Sequence, residues 1–209
     1  MSDYFRDEYH CKTMRVHLQS IVDVFFRDIV PAVKNDDDGP LVYHGKGIVS
    51  AWAETEFQSY LVNLETCMHL QLVCHLWEQQ VIQTFWYELG NYGYFEENGK
   101  KIEYIDFKIF EDALTSLGFD VSLIKCWEKI QLVREIVNVI KHGEGRASKV
   151  IRNKMPGFFG HNSNEDFDII SFAKVSITDE MLNINPDNFK DYAQCFLSFW
   201  DEVPSSYIG

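Results

Sequence analysis

Between Ile48 and Leu89 the chain contains neither glycine nor proline. A stretch that long without a breaker reads as helix, because strands are short and turns draw on those two residues. A single helix over it would run about 60 Å. That is long for a chain of 209 residues, so a bend or break is expected near Trp52 to Phe57. From Phe57 onward, Leu61, Leu64, Met68 and Leu72 form an apolar stripe. Such a stripe needs other helices to cover it, and this sets the fold class.

The remaining segments supply those helices. Ser2 or Asp3 can cap a first helix that carries Ile21, Val22, Phe25, Phe26, Ile29 and Val30 and is stopped by Pro31. Lys34 to Gly47 reads as a loop. Its consecutive Asp36, Asp37 and Asp38 form a solvated turn, since a calcium loop needs alternate ligands and a closing Glu. Gly90, Gly93 and Gly99 mark a connection, and Ile105 to Leu117 a shorter helix ended by Gly118. Asp120 or Ser122 starts a central helix that stops at Gly143, and a short helix follows over Ala147 to Asn153. Gly157 to Asp166 reads as a loop. Ile169 to Ile177 partly alternates, as a strand or hairpin would. Thr178 to Leu182 is turn-like or helical. Pro186 to Trp200 is a last amphipathic helix with Phe189, Tyr192, Phe196 and Phe199 or Trp200 inward. The expectation is a single all-α domain over residues 1–209, a bundle of four to five main helices, with room for a small β-hairpin near 169–177.

Composition narrows the function classes. The chain is 46% apolar and 15% aromatic, which is globular and implies an aromatic core or a large interface. Its five cysteines are odd in number and form no Cys-x-x-Cys, as expected of reduced thiols in a cytoplasmic protein. Cys67 and Cys74 read as small core residues. No segment reads as a membrane span, because the most apolar window carries Glu65, His69 and His75. Pairs such as Glu65 with His69, Asp7 with His10 and His75 with Glu78 lack the spacing of a metal site. No metal and no cofactor are expected.

Charge singles out one region. The chain carries a net −13, yet residues 125–154 hold eight cations against three anions, Glu128, Glu135 and Glu144. That window is +5 and the rest is −18. A basic island on an acidic chain points to an anionic ligand or an acidic partner, or to cations that balance nearby carboxylates. Lys141, Arg146 and Lys149 are its candidate phosphate-binding residues. The central helix carries Ile130, Leu132, Val133, Ile136, Val137, Val139 and Ile140 as a broad apolar face. Gly143 stands where a left-handed cap is expected. His142 lies in the last turn, with Asn138 about 40° around the helix, Glu135 nearly in register and Arg134 about 80° away. A histidine there either caps carbonyls or, with an asparagine and cations, holds a phosphate and moves a proton. Whether Glu65 or Glu78 approaches it is open.

Asn138-Val-Ile-Lys-His142, with Arg134 upstream, resembles the signature of the HEPN superfamily, all-α proteins common in prokaryotic defence and toxin systems. Seven residues separate Arg134 from His142, and Glu135 rather than Asn follows the arginine, both departures from the family pattern. The resemblance implies metal-independent cleavage of RNA. His142 would be general acid or base, Arg134 or Arg146 would stabilise the phosphorane, and Asn138 would orient the phosphate or the histidine. It also implies RNA or an antitoxin as partner, and a homodimer. The rival expectation is a non-enzymatic interaction module, with His142 as a cap and the island docking an acidic partner or nucleotide.

Overall fold

The structure, a computed structural model, describes residues 7–34, 51–91, 115, 118–161, 164–168, 170–171, 174, 182 and 184–205. It is an all-α helical bundle. Its helices are α1 (Glu8–Val24), α2 (Val30–Lys34), α3 (Ala51–Asn91), α4 (Trp127–His142), α5 (Arg146–Lys154) and α6 (Pro186–Glu202). The expected long helix is present as α3, one unbroken helix of 41 residues with no break near Trp52 to Phe57. Nothing in its sequence removes a backbone donor, so the ladder continues. Its inward stripe is not the expected one: Met68 and Leu72 are exposed, and Leu70, Val73, Cys74, Trp77, Val81 and Phe85 are buried instead.

Helices α3 and α6 each touch α1, α4 and one another, so they form the middle of the bundle with α1 and α4 on its flanks. The inward residues of α6 carry the core. Phe189 stacks on Phe25 at 4.5 Å between ring centroids, Phe196 and Phe199 pack on Trp77 at 5.1 and 5.2 Å, and Phe199 reaches Trp127 at 6.2 Å. Phe189, Tyr192, Phe196, Phe199 and Trp200 are all buried, as their spacing predicts. Each such side chain contributes about 1.5–3 kcal/mol by leaving water. Asn185 caps α6 by accepting from the Asn188 N–H, and Pro186 fits the first helical position, where no donor is needed.

A polar seam ties three helices. Gln80, buried on α3, donates to the Met14 carbonyl at 3.1 Å and accepts from Trp200 Nε1 at 3.1 Å. Thr84 Oγ1 donates to the Gln80 carbonyl at 2.8 Å, and His10 Nε2 lies 3.0 Å from the same oxygen of Thr84. The hydroxyl proton is used on Gln80, so the imidazole is the donor and carries its proton on Nε2.

Other boundaries differ from the sequence expectation. Asp7 caps α1 by accepting from the Tyr9 N–H, while Ser2 and Asp3 lie outside the described residues. Pro31 does not stop the helix. A π-helical turn over Phe25–Ile29 comes first, in which the Val30 N–H reaches the Phe25 carbonyl, and it runs directly into α2. Pro31 thus sits in a continuous helical run, and the wider turn just before it shifts the hydrogen-bond register where the proline has no N–H to give. Gly118, at φ 86, ends the preceding segment, but residues 105–114, 116 and 117 of the helix expected there lie outside the described residues. Asp120 caps a short 3-10 turn, Val121–Leu123, rather than α4, which starts after Cys126. A hairpin lies earlier in the chain than the one expected near 169–177. β1 (Gly160–His161) and β2 (Asn164–Asp168) pair antiparallel, beginning inside the stretch expected to be a loop and ending two residues beyond it, and Ile170 and Ser171 are helical. Buried Ile170 belongs to the core, and residues 169, 172, 173 and 175–177 of the hairpin expected there lie outside the described residues. Most of Thr178 to Leu182 lies outside the described residues.

Candidate functional site

The site is built around the corner where α4 gives way to α5. Helix α4 buries Ile130, Val133, Ile136, Val137, Val139 and Ile140, which fixes its rotation in the bundle. The opposite face carries Glu135, Asn138 and His142, within about 60° of one another at 100° per residue. The helix stops at Gly143, whose N–H donates to the Val139 carbonyl at 2.8 Å. Gly143 has φ 67 and ψ −131. The positive φ is that of the expected cap, but the ψ is extended rather than left-handed helical, a region that glycine alone visits readily. Two residues later Gly145 opens α5. Ser148 Oγ accepts from the Gly145 N–H at 2.9 Å and donates to the Gly145 carbonyl at 2.8 Å. The backbone around the corner is therefore fixed at both helix ends.

His142 is exposed, and its ring makes no hydrogen bond or ion pair with any described residue. It is not bonded to the terminal carbonyls, as a capping histidine would be. Asn138, half-buried one turn back, likewise has a side chain without a hydrogen bond among the described residues. Lys141 and Lys149 are exposed, and Arg146 stands 85% exposed at the first turn of α5. Arg146 Nη2 comes within 3.5 Å of Glu135 Oε1, so the arginine folds back along the face that carries Glu135, Asn138 and His142.

Arg134 is placed differently. Its Nε donates to Glu78 Oε1 of α3 at 2.8 Å, and both side chains are about three-quarters buried. It is turned toward α3, about 80° around the helix and about 12 Å along it from His142. The structure puts Glu135, Asn138 and His142 on one face of α4, sets the Arg146 guanidinium against Glu135, about 10 Å along the axis from His142, and holds Arg134 at the α3 seam. The question of which carboxylate approaches His142 is answered in part: Glu78 is engaged by Arg134. Glu65 is near His69, whose Nδ1 is 2.9 Å from the Glu65 carbonyl oxygen.

Other cations of the island are also paired. Lys129 reaches Asp191 of α6 at 2.5 Å. Arg152 clamps two carboxylates, Glu144 from the corner and Asp168 from β2, and its guanidinium lies 5.2 Å from the Phe159 ring centroid. Hydrogen bonding from Arg152 pulls the Glu144 carboxyl below its ordinary range. Burial pushes Asp168 upward, but hydrogen bonds from Arg152 and the Ser171 N–H outweigh it and the net shift is down. Sequence reading missed this clamp because Asp168 lies sixteen residues beyond Arg152, across a hairpin. Burial pushes the Cys67 and Cys74 thiols up to about 12, so both are inert core groups at neutral pH. Among the described residues no helix is long and apolar enough to cross a membrane.

No family model, no curated protein and no solved structure matches this chain.

Proposed function

We propose that the α4–α5 corner binds an RNA phosphodiester and cleaves it without a metal, as an endoribonuclease of the prokaryotic defence or toxin type. The observation that carries the reading is the state of His142. Its ring is exposed and without a partner among the described residues, and Lys141, Arg146 and Lys149 of the same helix junction are exposed as well. An imidazole free of carbonyls is available to take and give a proton. In the proposed step His142 takes the proton of a ribose 2′-hydroxyl. The 2′-oxygen attacks phosphorus, the bond to the 5′-oxygen breaks, and the departing 5′-oxygen takes its proton from solvent water. The products are a 2′,3′-cyclic phosphate and a 5′-hydroxyl. Arg146 offers a planar fork for the charge that develops on the phosphorane oxygens. Asn138 is one turn below and orients the phosphate or the ring. Arg134, held by Glu78, supports the helix rather than the charge.

The test is cleavage of mixed tRNA and a structured messenger in EDTA, beside His142→Ala. Activity that survives the chelator and disappears in the variant supports the reading. Equal cleavage by both proteins, or none by either, removes His142 as a catalyst.

A second reading has its own support. Arg134, Lys129 and Arg152 are held in ion pairs, which leaves a small basic surface rather than a broad one. In that case Lys141, Arg146 and Lys149 dock an acidic protein or a nucleotide and no bond is cleaved. A pull-down by the wild type that fails with Lys141→Glu/Lys149→Glu, in a protein inert toward RNA, would select it.

A further inference from the structure

Glu135 is held at a cost that its contacts do not offset. Its Oε2 is buried and meets no hydrogen-bond donor among the described residues, and the side chain as a whole is only 23% exposed. A buried oxygen without a donor destabilises a fold. Its ion pair is with Arg146, which is 85% exposed, at 3.5 Å, and a contact so open to solvent returns little stability. The carboxylate therefore needs a role outside the fold's own stability.

The geometry of its partner supplies one. The Arg146 backbone is fixed by Gly143 and by the reciprocal bonds of Gly145 and Ser148. Its long side chain is not fixed by any of these. The contact with Glu135 occupies Nη2 and leaves the rest of the fork, which has five N–H donors, open to an anion. Glu135 biases the guanidinium toward the face that carries Asn138 and His142, by the modest energy of an exposed pair.

We infer that Glu135 is a positioning residue that sets Arg146 as the phosphate-binding cation of that face. The inference rests on the reading of the corner as a phosphate site, but it does not need the corner to be catalytic. It has an unusual sign. By charge alone, removing a carboxylate beside an anion site strengthens anion binding. By positioning, the same change weakens it, because the arginine must be ordered when the anion arrives.

The experiment is fluorescence anisotropy with a fluorescein-labelled single-stranded DNA oligonucleotide, which lacks the 2′-hydroxyl and is not cleaved. The proteins are wild type, Glu135→Gln, Arg146→Ala, Arg146→Lys and the double variant Glu135→Gln/Arg146→Ala, all checked for unchanged melting. Glu135→Gln is expected to weaken binding about threefold or more, as for residues in one ion-pair network. Arg146→Ala should weaken it further and lower the salt slope by about one phosphate contact. The double variant should bind like Arg146→Ala alone. Arg146→Lys sits at an exposed position and keeps the charge, yet it should also weaken binding because it lacks the fork. Tighter binding by Glu135→Gln, additive effects in the double variant, or a wild type that does not bind the probe would each overturn the inference. Failure of the ribonuclease reading shows separately, as intact RNA in the cleavage assay beside preserved coupling in the binding assay.

Discussion

Arg134 Nε and Glu78 Oε1 are 2.8 Å apart across the α3–α4 seam, each side chain about three-quarters buried. The arginine that the motif resemblance would make catalytic is committed to holding two helices together. Arg134→Ala is therefore expected to destabilise the protein by about 1–3 kcal/mol, the range for a hydrogen bond to a charged group that leaves its partner unpaired. In urea denaturation Arg134→Met/Glu78→Gln should recover part of that loss, since the uncompensated charge is gone. An Arg134→Ala protein of full stability with no RNA cleavage would reverse this assignment.

His142→Ala should behave in the opposite way. The side chain is exposed and makes no bond among the described residues, so melting should stay within about 0.5 kcal/mol of wild type. Cleavage should fall about 100-fold or more, the scale of a lost general acid or base. A large drop in melting temperature would point to a structural histidine instead.

The Arg152 clamp predicts acid sensitivity at the same corner. Glu144 and Asp168 both titrate below their ordinary values of 4.5 and 3.8 in the folded protein. The unfolded chain then binds more protons across that window, so the stabilisation is complete above about pH 5 and is lost as pH falls through the folded values. Arg152→Ala should remove this dependence, and lower stability by about 1–3 kcal/mol at neutral pH. Urea midpoints from pH 7 down to pH 3 would test it. Parallel pH profiles for wild type and variant would sink the idea.

How far the sequence could be read depends on the range of the interactions involved. Periodicity identified α4 and α6 because each must bury a stripe, and the inward residues Phe189, Tyr192, Phe196, Phe199 and Trp200 are all in the core. Helix α3 was legible from its lack of helix breakers, but it is apolar on more than one face, so its stripe was misplaced onto exposed Met68 and Leu72. The end of α4 at Gly143 was visible because a positive φ leaves few residue choices. The π-helical turn before Pro31 was not visible, since it reroutes hydrogen bonds without changing the apolar pattern. The hairpin at 160–168 was missed for a related reason: β1 has only two residues, and β2, Asn-Glu-Asp-Phe-Asp, has a single apolar residue and so no alternation. At the corner, spacing placed Glu135, Asn138 and His142 on one face. It could not tell which cation joins them. That depends on Glu78 drawing Arg134 toward α3 and on the turn that sends Arg146 back along α4, both set by tertiary packing.

The turn itself gives the last prediction. Gly143 is buried, and its φ 67 and ψ −131 differ from the left-handed helical cap. At a left-handed cap asparagine is tolerated nearly as well as glycine. At this ψ it is not, because any Cβ meets the same obstruction. Gly143→Asn and Gly143→Ala should therefore cost alike, about 1–3 kcal/mol each. Both should also weaken oligonucleotide binding, because the turn determines where Arg146 leaves the corner relative to His142. Thermal melts and anisotropy on the two variants decide it. A Gly143→Asn protein distinctly more stable than Gly143→Ala would mean that the turn is left-handed helical in solution. The path of Arg146 toward Glu135 would then have to be drawn again.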